Sequence, residues 1–351
     1  MRLLLYPFSF CYGLVVVLRN FFYDSGIFPS VKFNLPVILV GNLSTGGTGK
    51  TPHTEYLIRL LSGKYRVATL SRGYGRQSKG FREVTLRSSV NEAGDEPLLY
   101  KTRHPELTVT VCENRAEGIR TIIKQFPNVQ VILMDDGFQH RRVVPGFKIL
   151  LTSWQRPFYK DHLLPAGNLR EPVSGKRRAD CLIVTKTPDG VEAEKKSITR
   201  KVRMHEKPVL FSSLTYGHPK PVFTGTVVTF PEHPKVVILF AGIADAGRFV
   251  EYVTARYVKP DIFLFGDHHE YTPAELDELA EHFQTRMLNE PSTVLLTTEK
   301  DAMRLRTAAE HGMLKELPVF YVPVDILLPP EDQSVFDELI LNYVETNKSD
   351  S

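Results

Sequence analysis

An apolar stretch, Val37-Ile38-Leu39-Val40-Gly41-Asn42-Leu43, runs directly into Ser44-Thr45-Gly46-Gly47-Thr48-Gly49-Lys50-Thr51. With almost no side-chain bulk at Gly46, Gly47 and Gly49, backbone N–H groups can converge on phosphate oxygens. Lys50 adds a cation and Thr51 a hydroxyl suited to Mg²⁺. Leu57, Ile58, Leu60 and Leu61 then give residues 51–61 an apolar face, and Ser62-Gly63 offers a stop, so a helix is expected. Strand, phosphate loop and helix in that order commit the chain to a P-loop α/β fold. Gly46, Gly47, Thr48, Gly49, Lys50 and Thr51 are its expected nucleotide-binding residues.

The usual G-x-x-x-x-G-K-[ST] form would place glycine where this chain has Ser44. The run from Thr45 to Thr51 resembles the variant loop of the partitioning ATPases instead, but their signature lysine would fall at Thr45. The loop chemistry is retained while that family is disfavoured.

A chain of 351 residues with 42% hydrophobic and 24% charged content can bury a large core and is expected to hold two domains. Its net charge of +4 suits an acidic ligand or an anionic membrane surface, whereas a nucleic-acid binder concentrates more positive charge, so no nucleic-acid partner is expected. Cys11, Cys112 and Cys181 contain no C-x-x-C pair, which argues against a disulfide framework or zinc ribbon.

The N-terminus stands apart in composition. Residues 3–18 carry no charge and are flanked by Arg2 and Arg19. At sixteen residues, interrupted by Pro7 and Gly13, the run is shorter than the ~20 that usually span a bilayer. It reads as a membrane anchor in or partly across the interface, with Phe21, Phe22 and Tyr23 at headgroup depth. A buried first helix is the alternative.

Apolar runs alternate with helical patterns from there on, as in a mostly parallel sheet with helices on both faces. Strands are expected at 65–70, 107–111, 129–134, 147–151, 180–185 and 209–211, with helices at 115–125 and 191–203. Residues 212–235, rich in proline and β-formers, read as an extended linker with a hairpin. A second, smaller α/β unit follows, with strands at 236–240, 262–265, 294–297 and 319–322 and helices near 244–256, 272–288, 300–309 and 333–346. The expected division is an anchor at 1–25, a P-loop kinase domain at 26–211, the linker at 212–235 and a C-terminal domain at 236–351.

Val131-Ile132-Leu133-Met134-Asp135-Asp136 is an apolar strand ending in two carboxylates. Mg²⁺ prefers hard oxygen ligands and shares phosphate oxygens, so Asp135 and Asp136 beside Thr51 form a Walker-B candidate.

The run continues as Gly137-Phe138-Gln139-His140. Together with Gly41 to Pro52, it resembles the lipid A 4′-kinases, also called tetraacyldisaccharide 4′-kinases. Further matches are Leu70 to Arg76, Gly94-Asp95-Glu96-Pro97, Leu164 to Pro172, Asp267-His268 and Thr298 to Ala302, so the resemblance spans roughly residues 1 to 325. It implies transfer of the ATP γ-phosphoryl group to the 4′-hydroxyl of an acylated glucosamine disaccharide 1-phosphate, with Mg²⁺, giving the lipid A precursor lipid IVA. It further implies the cytoplasmic face of a bacterial inner membrane.

By that resemblance Asp95 is the catalytic base, paired with His268, although His269 makes the histidine ambiguous by one residue. Glu96 helps place Mg²⁺ or the acceptor. Arg72 and Tyr74 fall on the acceptor side, and Arg115 and Arg170 stabilise phosphate or hold the disaccharide. Glu171 lies in the same motif and either contacts substrate or orients Arg170 by an ion pair. His140 reads as structural. A membrane-associated nucleotide switch would explain the loop and anchor too, yet Thr298-Glu299-Lys300-Asp301 lacks the N-K-x-D spacing of a guanine reader. A non-catalytic scaffold would leave the acceptor-side arginines idle.

Overall fold

A computed structural model describes residues 2–347 except 203, 205, 224–228, 258–259 and 309–312. The larger sheet is built from β1 (Val37–Asn42), β2 (Val67–Ser71), β3 (Arg82–Val84), β4 (Thr108–Val111), β5 (Val131–Asp135), β6 (Phe147–Ser153), β7 (Cys181–Thr185) and β8 (Val209–Phe211), in the order β3-β4-β2-β5-β1-β6-β7-β8. Every pairing is parallel except β3 with β4. Strands covered on both faces need side chains that are apolar throughout, which is why β1, β5 and β7 read as continuous apolar runs and are buried along their length.

Helices α1 (Tyr6–Asp24), α2 (Lys50–Ser62), α3 (Val90–Ala93), α4 (Asp95–Arg103), α5 (Arg115–Gln125) and α6 (Glu192–Val202) accompany this sheet. The smaller sheet contains β10 (Lys220–Pro221), β11 (Val236–Ala241), β12 (Asp261–Leu264), β13 (Thr293–Thr298) and β14 (Val319–Val322), ordered β10-β14-β13-β11-β12. Its helices are α7 (Gly247–Arg256), α8 (Pro273–Asn289) and α9 (Glu299–Ala308). A separate ladder pairs β9 (Ser213–Tyr216) with β15 (Val324–Leu327), and α10 (Pro330–Asn347) follows.

The expected strands and long helices all form, with ends displaced by no more than a few residues. The ends expected at Arg203 and Ala309 lie outside the described residues. Three differences matter. Asp95 and Glu96 open a helix, α4, that the apolar pattern did not announce, because its buried residues Pro97, Leu98, Leu99 and Tyr100 form one short run with no repeat. Segment 212–235 contributes β9 and β10, each paired with a strand farther along the chain, β15 and β14. Residues 224–228, on which the expected hairpin also falls, lie outside the described residues.

The third difference is α10. Phe336, Ile340 and Val344 are buried in one core with Leu57 and Ile58 of α2. The Tyr343 hydroxyl lies 3.1 Å from the N–H and 3.3 Å from the carbonyl of Val37, and Tyr56 donates to Asp337 at 2.7 Å. The last helix therefore packs back on the phosphate-loop unit.

Helix α1 buries only Ser9, Gly13 and Val16 and exposes Phe8, Phe10, Leu14, Val15 and Leu18. It is not the buried first helix of the alternative reading. No helix among the described residues is long and apolar enough to cross a membrane. Cys11, Cys112 and Cys181 are all free.

Candidate active site

The phosphate loop leaves the carboxyl end of β1, in the interior of the larger sheet. Asn42 Nδ2 donates to Thr48 Oγ1 at 2.8 Å, and Thr185 at the end of β7 donates to the Thr48 carbonyl at 3.0 Å. The loop is thus held from two sides. Gly46, Gly47 and Gly49 adopt φ values of +63°, +56° and +80°, a left-handed geometry that a Cβ penalises. Lys50 opens α2, whose N-terminal dipole faces the loop.

Register Val40↔Asp135 sets the acidic strand end beside the loop. Tyr100 donates to Asp135 Oδ2 at 2.8 Å, while Asp135 Oδ1 is buried with no hydrogen-bond partner. Burial, reinforced by the charge of Glu96, pushes the Asp135 carboxyl up to about 7. Asp136 takes φ +50°. Burial pushes its carboxyl up too, but Lys50 at 3.5 Å and Arg170 at 3.0 Å outweigh it and hold the group at about 2.

Asp95 and Glu96 occupy the first turn of α4, after Gly94 at φ +87°. Glu96 Oε1 accepts from Thr51 Oγ1 at 2.9 Å and from Lys300 Nζ at 2.6 Å. Burial would raise this carboxyl, yet the Lys300 charge overrides it and the net shift is downward.

Asp95 Oδ1 caps the Glu96 N–H at 3.0 Å; Oδ2 lies 3.3 Å from His268 Nδ1 and accepts from Arg304. Burial raises the Asp95 carboxyl, but the His268 hydrogen bond and the Lys300 and Arg304 charges hold it well below the usual carboxylate range. The same hydrogen bond raises the His268 imidazole against the opposing effect of burial. His268 sits at φ +57°. His269 is engaged elsewhere, 2.9 Å from Glu275 at the start of α8 and stacked on Phe265. Of the two histidines, geometry brings His268 to Asp95.

Tyr74 is exposed with its ring 4.9 Å from that of His268, and Arg72 is exposed on the same loop. Arg115 is only 2% exposed; it donates to the carbonyls of Cys112 and Asp136, and burial lowers its guanidinium to about 10. Arg170 donates to Asn42 Oδ1 and Asp136. Glu171 does not pair with Arg170. It is buried and accepts instead from Arg178 at 2.7 Å and Gln139 at 2.7 Å, because the two neighbouring side chains leave the chain toward different carboxylate and cation partners. His140 bonds through its backbone to Gly137 in the turn after β5, and burial, with Arg115 and Arg72, lowers its imidazole to about 4.

A family model described as tetraacyldisaccharide-1-P 4′-kinase matches residues 1–345. The chain belongs to the tetraacyldisaccharide-1-P 4′-kinase family. It is 40% identical to a tetraacyldisaccharide 4′-kinase of Bacteroides thetaiotaomicron, over 99% of this chain and 94% of the relative. It is 39% identical to that of Flavobacterium johnsoniae, over 99% and 98%. A crystal structure of LpxK from Aquifex aeolicus in complex with ATP matches with a TM-score of 0.74 at 33% identity, covering 98% of this chain and 99% of that one.

In this 4′-kinase family member, Lys300 and Arg304 of α9 reach the Glu96 and Asp95 carboxylates from the second unit. Sequence reasoning assigned them no role. The only signal was that Lys300 lies in the motif Thr298 to Ala302, at the carboxyl end of β13. Arg304, one helical turn later, gave none.

Proposed function

We propose that this protein is an ATP-dependent tetraacyldisaccharide 4′-kinase. It transfers the γ-phosphoryl group of ATP to the 4′-hydroxyl of tetraacyldisaccharide 1-phosphate, yielding lipid IVA in lipid A biosynthesis. One observation carries the reading of the site: the first turn of α4 touches both halves of it, with Glu96 on the phosphate-loop hydroxyl of Thr51 and Asp95 beside His268.

Lys50 and the backbone of residues 46–51 bind and orient the triphosphate, and phosphoryl transfer depends mainly on such positioning and charge neutralisation. Asp95 accepts the proton of the 4′-hydroxyl, with His268 orienting the pair. Among the described residues no three His, Cys, Asp or Glu side chains group closely enough to hold a metal alone. Asp135 Oδ1, buried and unbonded, nonetheless suits Mg²⁺, which Asp135 would hold together with Thr51, Glu96 and Asp136. Bound Mg²⁺ supplies further neutralisation of phosphate charge. Arg170 holds Asp136, Arg115 supports its backbone, Glu171 fixes Arg178 and Gln139, and Arg72 and Tyr74 face the acceptor.

We further propose that the exposed apolar face of α1 lies in the cytoplasmic leaflet of a bacterial inner membrane, where an acylated substrate arrives by lateral diffusion. We assign residues 26–211 together with α10 to one unit and residues 236–329 to the other, since α10 shares its core with α2. Incubating the full chain in detergent with ATP, Mg²⁺ and tetraacyldisaccharide 1-phosphate tests the activity. Absence of a 4′-phosphorylated product from folded protein would sink the reading.

A further inference from the structure

We propose that Arg304 is a positioning residue for phosphoryl transfer: seated on Gly242 and Asp301, it fixes the Asp95 carboxylate against His268. The inference rests on the reading of Asp95 and His268 as the acceptor-activating pair.

Asp95 Oδ1 accepts only the Glu96 N–H and keeps a lone pair for the acceptor hydroxyl. The other oxygen, Oδ2, receives Arg304 and faces His268 at 3.3 Å, and the same Arg304 nitrogen lies 3.3 Å from His268 Nδ1. Arg304 is only 7% exposed, and its second nitrogen donates to Asp301 Oδ1 at 2.9 Å and to the Gly242 carbonyl at 2.8 Å. Asp301 is fixed in turn by the Thr298 hydroxyl at 2.6 Å and the Gly242 N–H at 3.1 Å.

The Gly242 carbonyl also accepts the His268 N–H at 3.1 Å. One peptide group after β11 therefore seats both partners of Asp95. Space there is tight: a Cβ on Gly242 would lie 2.9 Å from His269 Cβ, 3.2 Å from Asp301 Oδ1 and 3.3 Å from the Gly266 carbonyl. The planar guanidinium fork spans Asp95 on one unit and the Gly242 seat on the other, which a lysine ammonium cannot reproduce.

A buried cluster of this kind could instead act only as cement, since removing one member of a buried ion pair destabilises a protein whatever its role. The test separates the two. For the full chain, kcat and KM are measured for wild type, Arg304→Ala, Asp95→Asn and the double variant, with thermal midpoints and binding of a fluorescent ATP analogue.

Misplacing a reacting group by about 1 Å costs on the order of 10²-fold. Arg304→Ala is expected to lose that much in kcat, with KM for ATP within about twofold. In the Asp95→Asn background it should lose almost nothing more, and added guanidinium should partly restore the single variant. An equal loss in both backgrounds, or an unchanged kcat, overturns the proposal. If Arg304→Ala does not fold, Arg304→Lys and Gly242→Ala carry the same comparison.

Histidine-selective ¹⁵N NMR supplies a readout independent of turnover. The His268 ring signal, assigned with His268→Gln, should shift in Arg304→Ala toward its position in Asp95→Asn. In the Asp95→Asn background Arg304→Ala should move it little further; an equal shift in both backgrounds would reflect only the direct Arg304–His268 contact and overturns the proposal. An unmoved signal overturns the positioning role even if no lipid is phosphorylated, whereas inactive wild type with a shifted signal overturns only the kinase reading.

Discussion

The ring of Tyr74, on the loop after β2, lies 4.9 Å from the imidazole of His268 on the smaller unit, tilted by 47°. Ring pairs of this kind are worth about 0.5–1.5 kcal/mol, so Tyr74→Ala is expected to lower kcat/KM by about 2–10-fold through a looser His268. Tyr74→Phe should retain most of the activity. Equal losses in both variants would assign the effect to the hydroxyl and not to ring contact.

Lys50 and Asp136 are 3.5 Å apart, and Asp135 Oδ1 has no protein partner. Lys50→Ala, Asp135→Asn and Asp136→Asn should each reduce turnover by on the order of 10²–10³-fold, because transition-state charge needs prearranged cations and their ligands. Turnover near wild type in Lys50→Ala would contradict a P-loop kinase.

Asp95→Ala and His268→Ala should each lower kcat by roughly 10²–10⁴-fold while ATP binding changes little. As one unit they should be non-additive, the double variant being far less impaired than the product of the single losses. His269→Ala, which removes only the Glu275 and Phe265 contacts, is expected to be mild. Multiplicative losses, or a dominant effect at His269, would dissolve the proposed pair.

Deleting residues 1–22 would disturb more than membrane contact, because Tyr12 donates to the Arg170 carbonyl at 2.8 Å and Arg19 to the Gln139 carbonyl at 2.6 Å. The sharper variant replaces Phe8, Phe10, Leu14 and Leu18 with serine on the exposed face. Co-sedimentation with anionic vesicles should then fall while ATP binding persists. Undiminished sedimentation would remove α1 as the docking element.

His53 is 1% exposed, with Nδ1 2.7 Å from the Gly49 carbonyl and Nε2 2.9 Å from Ser212 Oγ. The carbonyl can only accept, so Nδ1 donates to it, and with burial keeping the ring neutral Nε2 is left to accept from the serine. Burial lowers its pKa to about 4 from 6.5. The unfolded chain therefore takes up this proton first on acidification, and stability is lost from pH 6.5 downward, by at most about 3 kcal/mol at pH 4. Urea midpoints of His53→Gln should depend less on pH over that window. Parallel curves for the two proteins would refute the linkage.

The phosphate loop, its strand and helix, and the acidic end of β5 were legible in the sequence because each is local. An apolar run, three glycines with positive φ and a Lys-Thr pair lie within fifteen residues, and their chemistry follows from order alone. The alternation of strands and helices was legible for the same reason. What tertiary structure decided is which distant groups share an atom. That His268 and not His269 meets Asp95 depends on a left-handed residue seated on the Gly242 carbonyl. That Glu171 takes Gln139 from the turn after β5, that Arg304 grips Asp95, and that α10 returns to the first unit all arise from packing between elements up to 306 residues apart, as in Tyr343 and Val37. Burial turns those meetings into chemistry, since removal from water lets the Lys50 and Arg170 charges hold Asp136 down while Asp135, beside it in the chain, is pushed up.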